Sequence, residues 1–253
     1  MADHNPNVRV FDNEEAVAVS LAKYISDLSE KFVKQRGLFT VVLSGGSLIH
    51  TLRKLTESPY VESVDWEKWH VVWLDERVVP KTHDDSNYKL AYDGFLSKVK
   101  INPDHVYAIN DTLSTEDAAD DYEASMKSLV EKNIVRTSEI SGFPKFDLNL
   151  MGMGPDGHVA SLFPGHPLLK EEKRWVTFIK DSPKPPPQRI TFTFPVINSS
   201  DCIAMVITGP ETAKAVGIAL GCGKNENGLL PVQMVAPEGE LVWFLDKDTT
   251  SQL

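Results

Sequence analysis

Hydrophobic and polar residues follow two repeating patterns along the chain. Over residues 13–36 apolar side chains recur at steps of three and four, which predicts an amphipathic helix that Gly37 ends. The run LFTVVL at 38–43 is short, apolar and bounded by turn residues, so it predicts a buried strand. Both patterns continue to the end of the chain. Further helices are predicted at 48–55, 86–99, 115–135 and 211–221, and further strands at 71–74, 106–109, 146–152, 175–179, 190–194, 202–209 and 241–245.

Strands that alternate with helices indicate a parallel sheet with helices packed on both faces, and hence an α/β fold. No internal repeat is present, and the stretch SPKPPPQ at 182–188 is typical of a stiff extended loop rather than of a domain boundary. We therefore expect a single domain over residues 1–253. Ligands of such sheets bind beyond the carboxyl ends of the strands, so the loops after residues 43, 74, 151 and 208 are the candidates for a site.

The composition narrows the function classes. Hydrophobic residues make up 42% of the chain and charged residues 25%, which is ordinary for a globular protein. There are 26 basic and 36 acidic residues, a net charge of −10, with no basic run beyond two residues, so neither nucleic acid nor an anionic membrane is an expected partner. The polar start MADHNPNVRV does not resemble a signal peptide, and the two cysteines match no metal or redox spacing. We expect a soluble protein of a reducing, intracellular compartment.

The loop Ser44-Gly45-Gly46-Ser47 lies between a predicted strand and a predicted helix. Two glycines let the backbone approach a ligand closely, and the start of a helix offers free N–H groups. This combination favours a site for a phosphate or a carboxylate. The spacing and the lysine of a P-loop are missing. A tight turn in which Ser47 caps the helix is the alternative, and the segment alone does not decide between the two.

The segment Trp73-Leu-Asp-Glu-Arg77 follows a predicted strand. In extended backbone Asp75 and Arg77 project to the same side, where they either face a ligand together or form a surface ion pair. Two further cations are Arg189, after the proline-rich stretch, and Lys214, in the first turn of the predicted helix 211–221; each either binds an anion or is a solvated surface residue. A lysine in that turn opposes the helix dipole, a cost that binding of an anion would offset.

The segment MGMGPDGH at 151–158 is rich in glycine and follows a predicted strand. It contains a formal G-x-G-x-x-G, but Pro164 limits any helix after Gly157 to a turn or two, so a dinucleotide site is weakly indicated. Asp156 and His158 are more informative, because an imidazole on a loop at a strand end suits general base catalysis.

These segments, in this order, resemble the 6-phosphogluconolactonases of the pentose phosphate pathway, within the glucosamine-6-phosphate isomerase/deaminase superfamily. The sequence as a whole looks like that of the plant members. The resemblance rests on LSGGS (43–47), WLDERVVP (73–80) with DDSNY (84–88), FDLNLMGMGPDGHVASLFPGH (146–166), RITFTFPVIN (189–198), TGPETAKAV (208–216) and LPVQMV (230–235). It implies a Rossmann-like open, mostly parallel sheet with helices on both faces. The implied reaction is hydrolysis of 6-phospho-D-glucono-1,5-lactone to 6-phospho-D-gluconate, with no cofactor and no metal.

The resemblance also implies roles for individual residues. Ser44, Gly45, Gly46 and Ser47 match the phosphate-binding loop of the family, and Arg189 and Lys214 match cations around the phosphate. His158 matches the general base, while Asp75, Arg77 and Asp156 match residues that line the lactone end of the site. The implied partner is a small sugar-phosphate lactone. The oligomeric state stays open between a monomer and a weak dimer.

Three other functions are weighed against this one. Family deaminases carry Asn-Glu-Pro shortly after Asp-Gly-His, whereas this chain has Leu162-Phe163-Pro164, which removes the carboxylate that such an isomerase needs. A non-catalytic sugar-phosphate sensor could lose His158 and Arg77, and both are present. An NAD-dependent oxidoreductase rests on the glycine pattern alone.

The expected location is the cytosol, because no transit peptide is recognisable at the start of the sequence. The ending Ser251-Gln252-Leu253 differs by one residue from the peroxisomal Ser-Lys-Leu signal, and the missing lysine makes that address a weak indication.

Overall fold

The structure is a computed structural model, and it describes residues 7–221 and 228–253. The strands are β1 (Asn7–Phe11), β2 (Phe39–Leu43), β3 (Trp69–Trp73), β4 (Asp75–Arg77), β5 (Val106–Tyr107), β6 (Arg136–Thr137), β7 (Pro144–Lys145), β8 (Leu148–Met151), β9 (Val176–Ile179), β10 (Arg189–Phe192), β11 (Cys202–Ile207) and β12 (Glu240–Asp246). The helices are α1 (Glu14–Arg36), α2 (Ser47–Thr51), α3 (Tyr60–Ser63), α4 (Asn87–Gly94), α5 (Thr115–Glu131), α6 (Phe194–Asn198) and α7 (Ala213–Ala219).

The main sheet has seven strands that all pair in parallel, in the spatial order β1-β12-β11-β8-β2-β3-β5. Both of its faces are covered. On β2 the side chains of Val41 and Leu43 join one buried cluster with α1, while Val42 joins a second cluster with α5. The predicted α/β fold, an open parallel sheet between helices, is therefore confirmed.

The order of the strands reverses direction between β2 and β8. From β2 the chain continues to β3 on one side, whereas β8, β11 and β12 lie on the other side. Connections that leave two adjacent parallel strands in opposite directions open a crevice at their carboxyl ends. The loops after Leu43 and Met151 meet at this crevice, as the sequence predicts.

A smaller antiparallel sheet, β4-β10-β9, packs against the second cluster through residues such as Val176, Ile190 and Phe192. Sequence patterning missed β4, because three polar residues show no periodicity. It also extended β10 to residue 194, whereas Phe194 begins α6 with Pro195 in its first turn, the helical position where proline fits well. The shared core joins both sheets, and a single domain over residues 1–253 remains a prediction.

Several predicted boundaries change in the structure. Helix α1 agrees closely, since Asn13 accepts from the N–H of Ala16 and Gly37 closes the helix with φ 79°. The helices predicted at 48–55, 86–99 and 211–221 are each shorter and adjoin 3-10 turns. Strand β1 was missed, because it is a largely exposed edge strand without a buried run.

The proline-rich segment 182–188 is a closed loop rather than an extended connector. The N–H of Ser182 donates to the carbonyl of Pro187 at 3.2 Å, so the two ends of the segment approach each other. The expectation of an extended chain was wrong, because the Ser182 hydroxyl bonds the backbone of Lys184 and the Arg189 guanidinium bonds carbonyls of the segment, and these hydrogen bonds close the loop.

Two observations bear on compartment and membrane. No helix within the described part of the chain is long and apolar enough to cross a bilayer. Cys202 is a buried free thiol, whereas Cys222 lies outside the described residues.

A buried histidine near the amino end of β3 predicts acid sensitivity. His70 stacks on His105 at 3.9 Å and bonds Tyr107 Oη through Nδ1, and burial lowers its pKa to about 4, with the nearby His105 as a further cause. The folded state therefore binds a proton less readily than the unfolded chain, so stability from this group is present above pH 6.5 and falls as the pH drops towards 4. We expect His70→Asn to abolish up to about 2 kcal/mol of this pH-dependent loss.

Denaturant unfolding of wild type and His70→Asn at pH 7 and pH 4.5 measures this effect. His50→Asn, at an exposed histidine of α2, is the matched control. An identical pH dependence in wild type and His70→Asn would contradict the assignment.

Candidate active site

A cavity of about 220 Å³ lies at the carboxyl ends of β2, β8 and β11. Of the residues singled out from the sequence, those lining it are Ser44, Gly45, Gly46, Ser47, Asp75, Arg77, His158 and Arg189. Asp156 does not line the cavity but contacts His158. Lys214 is exposed on α7 and is not among the lining residues, although its neighbours Glu211 and Thr212 are.

In the loop 44–47 the hydroxyl of Ser44 bonds to the protein itself. Ser44 is buried, and its Oγ donates to the carbonyl of Leu150 at 2.7 Å, which ties the end of β2 to β8. Gly46 adopts φ 68° and occupies the N-cap position of α2, so the alternative that Ser47 caps the helix was wrong. A Cβ at Gly45 would lie 2.1 Å from Oδ1 of Asn87, which is why a side chain is excluded there.

The Asp156 carboxylate orients the His158 imidazole. Oδ1 of Asp156 lies 2.5 Å from Nδ1 of His158. Because an ionised carboxylate only accepts hydrogen bonds, Nδ1 carries the proton of the neutral ring and Nε2 keeps its lone pair. Burial opposes ionisation of Asp156, but the hydrogen bond from His158 outweighs burial and lowers the pKa of this carboxyl. Nε2 has no hydrogen-bond partner within residues 7–221 and 228–253.

Close packing holds this imidazole in place. The Phe163 ring lies 4.6 Å from the His158 ring, and the N–H of Gly154 donates to the His158 carbonyl at 3.0 Å. A Cβ at Gly154 would lie 2.1 Å from Cε1 of His158. The ring therefore has a fixed direction, and the absence of a side chain at Gly154 is a condition for it.

Two arginines, Arg77 and Arg189, face each other across the antiparallel pair β4 and β10, and we call them the arginine pair. Like charges directly opposite each other in a sheet destabilise it. Burial lowers the pKa of Arg189; the nearby Asp75 carboxylate opposes this effect, and the charge of Arg77 adds to it. Nε of Arg77 is buried without a partner in the described residues. An anion bound between the two guanidinium groups would offset both costs.

Backbone carbonyls fix the direction of Arg189, which is only 3% exposed. Its Nε donates to the carbonyl of Pro186 at 3.0 Å, and its Nη2 donates to the carbonyls of Lys184 and Pro185 at 2.9 and 3.1 Å. The closed loop at 182–188 thus receives these N–H groups, and Nη1 is the guanidinium nitrogen that donates to none of its carbonyls.

A buried glutamate that the sequence reasoning missed supports the neighbouring residues. Glu76 is 2% exposed and accepts from the backbone N–H groups of Arg77, Asn87 and Tyr88 at 2.7–2.8 Å. Burial raises its pKa to about 7, although these three donors favour the charged form. Glu76 thereby joins β4 to the start of α4, and Asn87 in turn donates to the carbonyl of Asp75 at 3.1 Å. Because side chains alternate along a strand, Glu76 projects to the other face of β4 from Asp75 and Arg77. This alternation was the one sequence signal that could have identified it.

The chain is similar to known proteins along most of its length. The family model described as glucosamine-6-phosphate isomerases/6-phosphogluconolactonase matches residues 12–243. A probable 6-phosphogluconolactonase 4, chloroplastic, of Oryza sativa subsp. indica is 64% identical over 247 residues, covering 97% of this chain and 76% of that protein. The 6-phosphogluconolactonase 3, chloroplastic, of Arabidopsis thaliana is 62% identical over 251 residues, covering 99% and 76%.

Solved structures agree in fold. The 6-phosphogluconolactonase of Thermotoga maritima is 28% identical with a TM-score of 0.79, covering 96% of this chain and 100% of that one. The enzyme of Trypanosoma brucei is 26% identical with a TM-score of 0.83, covering 98% of each chain. Since the family model spans most of the sequence and close relatives align along nearly all of it, the chain belongs to the glucosamine-6-phosphate isomerase/6-phosphogluconolactonase family.

Proposed function

We infer that the chain is a 6-phosphogluconolactonase, a hydrolase that opens 6-phospho-D-glucono-1,5-lactone with water. The relatives above carry that name at 62–64% identity. The observation in the site that supports this activity best is one cavity that His158, whose Nε2 bonds no described residue, shares with the arginine pair. The arginine pair suits an anionic group of the substrate, and His158 supplies a proton acceptor.

The chemistry assigned to each residue is a proposal. The phosphate binds to Arg189 and to the backbone of the loop 44–47, and Arg77 opposite Arg189 adds charge there or at the lactone end. Nε2 of His158 takes a proton from water as its oxygen adds to the lactone carbonyl. The new oxyanion requires a donor, for which Arg77 or loop N–H groups are suited. The imidazolium then returns the proton to the departing ring oxygen, which breaks the ring and gives the carboxylic acid.

The residue beside the histidine favours hydrolysis over isomerisation. Where family deaminases have a glutamate, this chain has Phe163, buried and packed on the His158 ring. A phenyl ring can neither accept nor relay a proton. Isomerisation, which moves a proton between sugar carbons, therefore lacks the carboxylate that would act beside the histidine. Attack by water needs one base only.

The test is hydrolysis of freshly generated 6-phosphogluconolactone, measured against the spontaneous rate. Acceleration of this reaction, without release of ammonia from glucosamine 6-phosphate, is the expected result. Binding of sugar phosphates without acceleration would overturn the enzyme in favour of a sensor. Deamination of glucosamine 6-phosphate would overturn it in favour of the isomerase class.

Location and assembly are further proposals. The relatives at 62–64% identity have "chloroplastic" in their names, whereas two 6-phosphogluconolactonases 2 of Arabidopsis thaliana and Oryza sativa, at 53% and 50% identity, do not. We propose the cytosol, with a monomer or weak dimer as the assembly. Imaging of two fluorescent fusions separates cytosol, plastid and peroxisome: one carries the label at the carboxyl end, and the other carries it at the amino end, with and without Ser251-Gln252-Leu253.

Gly154→Ala is expected to impair catalysis without preventing folding. Its methyl group would meet the imidazole of His158, and a misplaced catalytic group costs about 100-fold in rate. Steady-state kinetics measures the change in kcat. Gly152→Ala is the matched control, because a Cβ there meets no atom within 4 Å, and we expect a smaller loss. Equal losses in the two variants would contradict the packing argument.

A further inference from the structure

Ser161 lies at the centre of a tight turn behind the cavity. The N–H of Leu162 donates to the carbonyl of Val159 at 2.9 Å, and Ala160 adopts φ 51°, a left-handed conformation that costs a residue with a side chain. Ser161 itself is 0% exposed and does not line the cavity. A strained turn that buries a hydroxyl completely persists only where its surroundings fix it.

The hydroxyl of Ser161 connects two site residues of opposite charge. Its Oγ donates to Oδ2 of Asp75 at 2.7 Å, and Nη1 of Arg189 approaches the same Oγ at 3.5 Å. A serine has one proton to donate, so with that proton on Asp75 the oxygen is an acceptor towards Arg189. The direction of the chain of hydrogen bonds, from Arg189 through Ser161 to Asp75, is thereby fixed.

The remaining contacts of both partners leave the Ser161 hydroxyl as their shared neighbour. Arg189 gives its Nε and Nη2 protons to backbone carbonyls of the closed loop, which fix the guanidinium plane, and within the described residues Nη1 contacts only the Oγ of Ser161. The Asp75 carboxylate accepts only from Ser161 within the described residues, through Oδ2, and Asp75 lines the cavity. The Ser161 hydroxyl therefore orients this carboxylate beside a guanidinium that the loop holds in place.

We propose that Ser161 is a positioning residue, which holds the carboxylate of Asp75 in a fixed place relative to the guanidinium of Arg189 so that both engage one substrate molecule. The inference rests on the proposed function, in which Arg189 binds the phosphate and Asp75 lies at the lactone end. It adds a residue that touches no substrate and yet contacts two residues of the site, one of each charge.

The test is Ser161→Ala, with kcat and KM for the lactone and the dissociation constant for inorganic phosphate as readouts. We expect kcat/KM to fall about tenfold, the size of one lost hydrogen bond to a charged group, and phosphate to bind more weakly. In an Asp75→Asn background the further loss on adding Ser161→Ala is expected to shrink to about twofold, because residues in one network do not act additively.

Ser200→Ala is the matched control. Ser200 is also 0% exposed, and its Oγ donates to the carbonyl of Ile197 at 2.8 Å, outside the cavity lining. It measures what the loss of any buried hydroxyl does to folding and rate. Ser161→Cys keeps nearly the same shape with a weak donor and replaces Ser161→Ala if that variant does not fold.

The outcomes separate cleanly. Losses in Ser161→Ala no larger than in Ser200→Ala, or equal losses in the wild-type and the Asp75→Asn backgrounds, would overturn the positioning role. Failure of the wild type to accelerate lactone hydrolysis would overturn the proposed function instead. In that case the phosphate measurement still decides about Ser161, because unchanged phosphate binding in Ser161→Ala would overturn its hold on Arg189.

Discussion

His158→Ala is expected to lower kcat for lactone hydrolysis by about 10²–10⁴-fold, the usual contribution of a positioned general base. KM should change little, because the imidazole acts on water and not on the phosphate. The hydrogen bond from Nδ1 to Asp156 leaves Nε2 as the proton acceptor, so Asp156→Asn is expected to lower kcat in the same direction. Stopped assays against the spontaneous rate measure both variants.

His166→Ala is the control for this prediction. His166 lies in the same stretch of chain and contacts the exposed Asp181, but it does not line the cavity. We expect it to keep the wild-type kcat. A His158→Ala variant with wild-type turnover would remove the histidine from the mechanism and leave the reaction without an identified base.

Arg189→Ala is expected to weaken substrate binding by about 30- to 150-fold, since loss of the guanidinium removes both a charge and its hydrogen bonds to the phosphate, together about 2–3 kcal/mol. The buried guanidinium also holds the closed loop through three carbonyls, so part of the loss will come from movement of that loop. Arg189→Lys separates the two effects, because lysine keeps the charge but lacks the planar set of donors. Calorimetric titration with 6-phosphogluconate measures binding without turnover.

Lys214→Ala in the same titration tests the second cation that the sequence proposes for the phosphate. The side chain is exposed on α7 and is not among the lining residues, so we expect a smaller loss than in Arg189→Ala. A loss as large as that of Arg189→Ala would show that Lys214 reaches the anion. Unchanged affinity in both variants would place the phosphate elsewhere.

Local sequence signals predicted the elements that frame the site. Asn13 and Gly37 predicted the two ends of α1, because capping depends on the residue type at the helix ends. Unbroken apolar runs predicted the central strands, because a parallel sheet is buried on both faces. The loops that meet in the cavity follow from these strands. Fold class and cavity position were therefore accessible without coordinates.

Contacts between distant segments were not accessible in this way. The sequence contains Arg77 and Arg189, but only the antiparallel register of β4 on β10 sets them opposite each other. Ser161 lies in a largely apolar stretch, which is typical of a buried segment but does not indicate which residues its hydroxyl bonds. The bond from Asp156 to His158 depends on a turn closed by the Gly154 N–H, which spacing alone does not establish.

The arginine pair has a consequence for the ionisation of the ligand. Two guanidinium groups in register attract a doubly charged phosphate more strongly than a singly charged one, and a phosphate ester gains its second charge near pH 6. Substrate affinity should therefore weaken below that pH for a reason that lies in the substrate. The decrease of kcat/KM at acid pH then includes protonation of the substrate phosphate. The pH dependence of kcat, measured at saturating substrate, reflects the ionisation of groups in the enzyme–substrate complex.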